Sequence, residues 1–127
     1  MTHADERPRL WVGHVVLATH DLGRAQAFYS ALGLRALRDP APEDVIVELE
    51  MRGGTHLVLV FDPNARTNGR GAPFDLMTED VEDLHASMSA RGIEVTPIRP
   101  DEHGSFTFRD PDGYIVTVNA SHVEGVV

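Results

Sequence analysis

The sequence predicts an α+β fold in which two βαβββ modules form a mixed sheet that encloses a cleft. The first observation is a repeat: residues 19–34, THDLGRAQAFYSALGL, reappear as residues 78–93, TEDVEDLHASMSARGI, at a constant offset of 59 positions. The second is that the same order of strand-like runs and turn signals surrounds both copies. A duplicated unit places its chemistry at equivalent positions of the two halves.

Composition limits the classes of protein to which the chain can belong. With 127 residues and 42% hydrophobic side chains, it is long enough for a single domain with its own core. It has no cysteine, which excludes disulfides, thiolate metal sites and a cysteine nucleophile. The net charge of −9 argues against nucleic acid, and no apolar stretch is long enough for a bilayer span. We expect a soluble, cytoplasmic protein with neither a nucleic-acid nor a membrane partner.

The first module is predicted over residues 10–61. Residues 10–19 form an apolar, β-branched run that is typical of a strand buried on both faces. Asp21 is placed to cap a helix, because apolar residues then recur at helical spacing and Gly33 follows at the C-cap position. The remaining strands are predicted over residues 34–38, 45–51 and 56–61, with a glycine turn at residues 52–54.

Residues 62–73 are rich in Pro, Gly and Asn and are predicted to be the linker to the second module. The second module, over residues 74–120, repeats the order of the first. Asp80 caps its helix, which has an acidic first turn and ends near Gly92. Its strands are predicted over residues 74–78, 94–98, 105–109 and 114–120.

Three segments resemble the vicinal oxygen chelate superfamily: GHVVLATHDLGRAQAFYSALGL at residues 13–34, TEDVEDLHASMSARGI at residues 78–93 and FTFRDPDGYIVTV at residues 106–118. This superfamily includes glyoxalase I, extradiol dioxygenases, fosfomycin-resistance enzymes and bleomycin-resistance proteins. The resemblance implies the glyoxalase/bleomycin-resistance fold and a homodimer. It does not select a reaction, because one scaffold hosts several chemistries.

The resemblance also implies where a metal would bind. In the metal-dependent members, ligands come from the first and last strands of each module. Counted from the helix caps and the turn glycines, those positions hold His14, Val58, Pro73 and Thr117. A divalent ion needs three or four nitrogen or oxygen donors from the protein. We therefore expect no metal cofactor at the usual centre.

Side chains that share the face of His14 define the candidate cleft, because they alternate across each strand. If a metal is present, a displaced site of His14, His56 and Asp75 offers two imidazoles and a carboxylate. The alternative is that His14 and Asp75 hydrogen-bond within the cleft or to water. The candidate ligand-binding residues are His14, Val16, His56, Val58, Asp75, Met77, Thr117 and Asn119.

Other side chains are given structural interpretations. We expect Glu48 and Glu50 to form the solvent-facing half of an alternating strand rather than an acid/base pair. His20 is placed on solvated helix surface, and Tyr29 in the core with a hydroxyl that needs a partner. Trp11, opposite the face of His14, is expected against a helix or at a subunit contact.

Three functions remain open from the residues. The first is a small-molecule-binding protein that lacks the usual metal centre and sequesters an amphipathic or cationic compound in its cleft. The second is a divalent-metal-dependent lyase, isomerase or dioxygenase that uses His14 with nonstandard ligands. The third is a metal-free enzyme in which His14 and Asp75 act as acid and base. We place the binding protein first, because the usual ligand positions have lost their donors.

Overall fold

The strands and helices of the computed structural model follow the order predicted from the repeat. The structure describes residues 7–39, 41–65, 67–100 and 104–121. Within these ranges, no helix is long and apolar enough to cross a membrane. The elements are β1 (His14–Thr19), α1 (Leu22–Ala31), β2 (Arg35–Ala36), β3 (Ile46–Glu50), a 3₁₀ turn (Arg52–Gly54), β4 (His56–Phe61), β5 (Gly71–Thr78), α2 (Val81–Ala90), β6 (Phe106–Arg109) and β7 (Ile115–Ala120).

The strands form two mixed sheets, one from each module. The first has the order β1-β4-β3-β2 and the second the order β5-β7-β6. In each sheet the first strand of the module pairs in parallel with the last, β1 with β4 and β5 with β7. β1 also contacts β5, so the two modules meet along these edges. The predicted α+β fold class is confirmed, with the strands divided between two sheets.

Both helices begin and end where the repeat predicts. The carboxylate of Asp21 accepts a hydrogen bond from the backbone N–H of Arg24 at 3.0 Å, and Asp80 accepts one from Asp83 at 2.9 Å. These bonds satisfy N–H groups that the first helical turn leaves without a partner. A glycine with a positive φ, which most other residues avoid, follows each helix: Gly33 has a φ of 108° and Gly92 a φ of 78°.

The core lies between the helices and one face of each sheet. In β4, for example, Leu57 and Leu59 are buried, whereas the side chains between them are not. Val116 and Val118 have the same arrangement in β7. Among the described residues, no helix covers the opposite faces of the sheets. We call this surface, which carries His14 and its neighbours, the open face.

The first strand is shorter and less buried than predicted. It starts at His14, and Leu10, Trp11 and Val12 before it are 89%, 68% and 58% exposed. Its side chains alternate between buried and accessible instead of being buried on both faces, because within the described chain only one face of the sheet is covered. Trp11 is therefore not buried against a helix within the described chain.

Two other predicted strands are reduced in the structure. Residues 34–38 contribute only Arg35–Ala36, and residues 94–98 contribute a single bridge between Val95 and Phe108. Proline has no N–H to donate to a ladder, and Pro97 interrupts the second of these segments. In contrast, β5 begins at Gly71, inside the predicted linker.

Candidate functional site

Two histidines lie side by side on the open face of the first sheet. β1 and β4 run in parallel with His14 opposite His56, so both side chains point to the same side. Their rings meet edge to face, with 5.6 Å between the centroids. The next pair along the strands on this face is Val16 and Val58. The structure therefore brings together the first-sheet half of the predicted cleft.

Glu48 of β3 joins the two histidines. One carboxylate oxygen, Oε1, lies 3.6 Å from Nε2 of His14 and 3.6 Å from Nδ1 of His56. Both separations exceed a normal hydrogen bond. One potential ligand atom from each residue lies within 4.8 Å of the other two. We call these residues the His14–Glu48–His56 cluster.

Sequence reasoning placed Glu48 on a solvent-facing strand surface and missed its neighbours. The alternation was correct, since Val47 and Leu49 are buried and Glu48 is exposed. The β3–β4 hairpin determines the register, which places Glu48 opposite Val58, on the same face as the imidazoles. The glycine turn predicted at residues 52–54 was the available signal, because a hairpin turn sets cross-strand register.

His56 carries a polar atom without a partner. Its Nδ1 is buried from solvent and has no hydrogen bond among the described residues. Leaving a buried nitrogen unpaired costs about 1–3 kcal/mol. By comparison, the side chain of His14 is 59% exposed. Nδ1 of His56 is therefore buried, whereas the imidazole of His14 faces solvent.

The polar residues of the second sheet form a separate pair. Asp75 accepts a hydrogen bond from the side-chain amide of Asn119 at 3.1 Å, and its neighbour across the β5–β7 pairing is Thr117. Met77 lies beside Asn119 on the same surface and is 50% exposed. The carboxylate found with the two imidazoles is therefore Glu48, whereas Asp75 is bonded within its own sheet.

The four positions at which the resemblance implies metal ligands do not supply a donor set here. His14 offers an imidazole and Thr117 a hydroxyl, but Val58 and Pro73 have no donor atoms in their side chains. A divalent ion requires more than these two donors from the protein. The residues present therefore do not fit the usual metal centre.

A groove of about 320 Å³ lies along the side of the first sheet that carries Glu48. An ion pair fixes part of its wall: Arg38 donates two hydrogen bonds to the carboxylate of Asp44, at 2.9 and 3.0 Å. Arg38 also holds the pKa of Asp44 below its usual value. The lining residues are Leu37, Arg38, Asp44, Ile46, Val47 and Glu48.

Apolar side chains make up much of the remaining open face. Val16, Ile46 and Met77 are 53%, 46% and 50% exposed. Large apolar side chains grouped on a surface and bordered by polar ones are typical of binding sites for ligands or partners. The open face can therefore take up an apolar body, with the polar groups of both sheets as anchors.

A buried polar network joins the two modules. Tyr29 of α1 donates a hydrogen bond of 2.8 Å to Asp110, which also accepts the backbone N–H groups of Asp112 and Tyr114. Burial raises the pKa of Asp110 and of the Tyr29 hydroxyl. Tyr29 thus lies in the core, as expected, and its hydroxyl is neutral. The network connects the first helix to the last hairpin.

His20 belongs to this network, which corrects its interpretation as a solvated surface residue. Its backbone N–H donates to the carboxylate of Asp112 at 3.0 Å, and its ring Nδ1 contacts the same oxygen. The ring also lies 3.2 Å from the carbonyl oxygen of Ala65. Sequence reasoning had no means of locating this contact, because Asp112 is 92 residues away along the chain.

Comparison with known proteins identifies the family. The model of the Glyoxalase/Bleomycin resistance protein/Dioxygenase superfamily matches residues 11–118. The chain belongs to this superfamily. The match includes β1 and most of β7, and therefore both halves of the open face. Among curated proteins, none matches the chain significantly.

Solved structures related to this superfamily member include binding and resistance proteins. TnmS3, an antibiotic binding protein from Streptomyces sp. CB03234, is 26% identical and has a TM-score of 0.72 over 91% of this chain and 98% of its own. FosX, a fosfomycin resistance protein from Listeria monocytogenes, is 18% identical, with a TM-score of 0.70 over 90% and 93%. Lactoylglutathione lyase from Agrobacterium tumefaciens is 23% identical, with a TM-score of 0.70 over 94% and 100%. The last two likenesses concern the fold alone.

Proposed function

We propose that this chain is a small-molecule-binding protein that lacks the usual metal centre of its superfamily and sequesters an amphipathic or cationic compound at the open face. The observation that carries the proposal is the chemistry of that face. Exposed Val16 and Met77 stand on the two sheets beside a few polar anchors, and Val58 occupies a usual ligand position. Such a surface can bind an apolar body and orient it through a few polar groups.

Two further observations support the proposal. TnmS3, whose sequence is 26% identical, is an antibiotic binding protein. The net charge of −9 attracts cations over neutral or anionic compounds, and Glu48 and Asp75 place negative charge on the open face itself. A cationic amphiphile therefore fits both the apolar and the charged character of the site.

The proposed binding is tested with matched dyes and drug-like amphiphiles that differ only in charge. Cationic members are expected to raise the melting temperature most, because the negative charge of the chain attracts them. A ligand at 100 times its Kd stabilises the folded state by about 2.7 kcal/mol. Val16→Asn is expected to weaken binding at least tenfold, because it puts an uncharged polar side chain where the apolar body packs and leaves the charge of the face unchanged. Isothermal titration calorimetry gives the affinities.

The matched control is Val45→Asn, since Val45 is also exposed, at 60%, but precedes β3 and, by strand alternation, points to the other side from Ile46 and Glu48. It is expected to leave affinity within about twofold, as for a surface substitution away from the site. The proposal fails if no charge class gives saturable binding, or if both substitutions weaken binding equally.

A second function is favoured by one observation, the closeness of Glu48 to both imidazoles. The second function is that of a divalent-metal-dependent lyase, isomerase or dioxygenase that uses His14 with nonstandard ligands. It differs from the first function in requiring turnover. Incubating the compounds that bind and analysing them by mass spectrometry separates the two functions, because a sequestering protein returns its ligand unchanged.

A further inference from the structure

We propose that His14, Glu48 and His56 form a binding site for one borderline divalent transition-metal ion, held entirely on the first sheet. The site shares His14 with the usual set of ligand positions and takes its other two ligands, Glu48 and His56, from β3 and β4. The proposal concerns ion binding alone and does not depend on the organic ligand proposed above.

The first argument is distance. Donor atoms that bind one ion at about 2.1 Å lie roughly 3–3.5 Å apart. The Oε1 atom of Glu48 is 3.6 Å from a nitrogen of each histidine, and the three donor atoms lie within 4.8 Å of one another. A separation of 4.8 Å has to close by about 1.3 Å for all three donors to reach one ion. The two separations of 3.6 Å are too long for hydrogen bonds but within ion-pair distance, so the carboxylate is close to both imidazoles without being hydrogen-bonded to either.

The second argument is the unpaired nitrogen. Nδ1 of His56 is buried and has no hydrogen-bond partner in the part of the chain that the structure describes, and it is the atom that faces Glu48. Buried polar atoms are nearly always satisfied in folded proteins. An ion between these two groups would provide the missing partner for His56 and balance the charge of Glu48.

The third argument is the rigidity of the support. The three residues lie on adjacent strands in continuous register, His14 opposite His56 and Glu48 opposite Val58. The backbone N–H of His56 is fixed by the carbonyl of Gly13 at 2.9 Å. Metal sites built on strands hold their ligands more precisely than sites built on loops. Little reorganisation is therefore needed on binding.

The donor set determines the class of ion. Two imidazoles and one carboxylate suit zinc, nickel, cobalt, copper or ferrous iron, whereas magnesium and calcium prefer oxygen donors alone. His14 is 59% exposed on its side chain, so part of the coordination sphere remains open to water or to a bound ligand. The site is therefore expected to select transition metals over magnesium.

The test uses untagged protein freed of metal with a chelator that is then removed by dialysis. Zinc binding is measured by calorimetry and cobalt binding by visible absorption, both at neutral pH. We expect one ion per chain and a cobalt spectrum typical of nitrogen and oxygen ligands. Magnesium is expected to compete only at concentrations at least a hundredfold higher.

Matched variants locate the site. Glu48→Gln keeps the shape of the side chain, and His14→Ala and His56→Ala each remove one imidazole; all three are expected to weaken zinc binding at least tenfold. Glu50→Gln, on the same strand face but paired with Arg35, and Asp75→Asn, on the second sheet, are expected to change it less than twofold. Circular dichroism of each metal-free variant verifies folding.

The proposal is overturned if the protein shows no saturable zinc or cobalt binding. It is also overturned if stoichiometric binding survives Glu48→Gln, or if Asp75→Asn is as damaging as Glu48→Gln. The alternative, a histidine–glutamate ion pair without a metal function, predicts the first of these results. Any adventitious binding by other histidines predicts the second.

Discussion

At the scale of single residues, the polar side chains that stabilise this fold bond either to a near neighbour in sequence or to a residue that the fold brings close. Asp21 and Asp80 cap helices through bonds to residues three positions away, so their role was predictable. Tyr29 was predicted to lie in the core, but its partner Asp110 is 81 residues away and was not. Local partners can be inferred from spacing, whereas distant partners depend on the fold.

Asp110 gives a prediction about pH. Burial raises the pKa of this carboxyl above its usual value, although three hydrogen bonds to it act in the opposite direction. Protonation is therefore favoured in the folded state. This contribution to stability is complete below the unfolded-state pKa and is lost as pH rises through the folded-state pKa.

Asp110→Asn removes the charge while its amide can still bond to Tyr29 and the two backbone N–H groups. As pH is lowered through the raised pKa of Asp110, we expect the unfolding free energy of the wild type to increase relative to that of the variant. Urea titrations of both proteins across the acid range measure this difference. A difference that does not vary with pH would contradict the prediction. Asp110→Ala leaves all three donors unpaired and is expected to cost about 2–4 kcal/mol at neutral pH.

At the scale of elements, the repeat predicted the order of the strands and helices, and chain chemistry explains the departures. β4 occupies the predicted range, because its turn and apolar alternation are both local signals. The segment around Val95 became a single bridge, since a proline interrupts its ladder. Arg35–Ala36 is an edge strand that pairs with β3 alone. Edge pairing depends on a neighbour, which periodicity does not reveal.

The repeat also provides a matched pair of glycines. Gly54 and Gly113 are equivalent at the offset of 59, with φ of 87° and 90°. A residue with a side chain at either position is destabilised by about 1 kcal/mol, because the positive φ there is a left-handed backbone conformation. At Gly113 an added Cβ would also lie 3.0 Å from the backbone nitrogen of Asn68, whereas at Gly54 it meets nothing within 4 Å.

We therefore expect Gly113→Ala to lower the unfolding free energy by at least about 1 kcal/mol more than Gly54→Ala does. Chemical denaturation of the two variants beside the wild type measures the difference. Equal losses would mean that backbone strain alone acts at both turns and that the approach of Asn68 has no energetic weight.

At the scale of the whole molecule, the exposed apolar surface is the feature that the isolated chain leaves unexplained. Leu10, Trp11 and Val12 precede β1 and are exposed, and Val16 and Met77 are exposed on the open face. Ligand sites usually bury most of the surface of the ligand, which an uncovered sheet face does not do by itself. A second copy of the chain that covers part of this surface would complete the cleft, so a homodimer remains our prediction.

Trp11 tests the homodimer because it is the only tryptophan in the chain. If residues 10–12 lie in the dimer contact, dilution through the dissociation range is expected to shift its fluorescence to the red as the ring enters water. Trp11→Ser is expected to weaken association at least tenfold, and Trp11→Phe much less, since truncating a buried aromatic at an interface commonly costs about 2 kcal/mol. Sedimentation velocity measures the association. A monomer at all concentrations, or a dimer indifferent to Trp11→Ser, would contradict this arrangement.

The sequence by itself determined the duplicated α+β plan, the helix boundaries and the loss of donors at Val58 and Pro73. These features depend on residue spacing and on residue identity at counted positions, which are properties of the chain before it folds. Only the tertiary structure decided that Glu48, and not Asp75, lies beside His14 and His56. The reason is cross-strand register, which places residues far apart in sequence within a few ångströms and can be read only once the strands have paired.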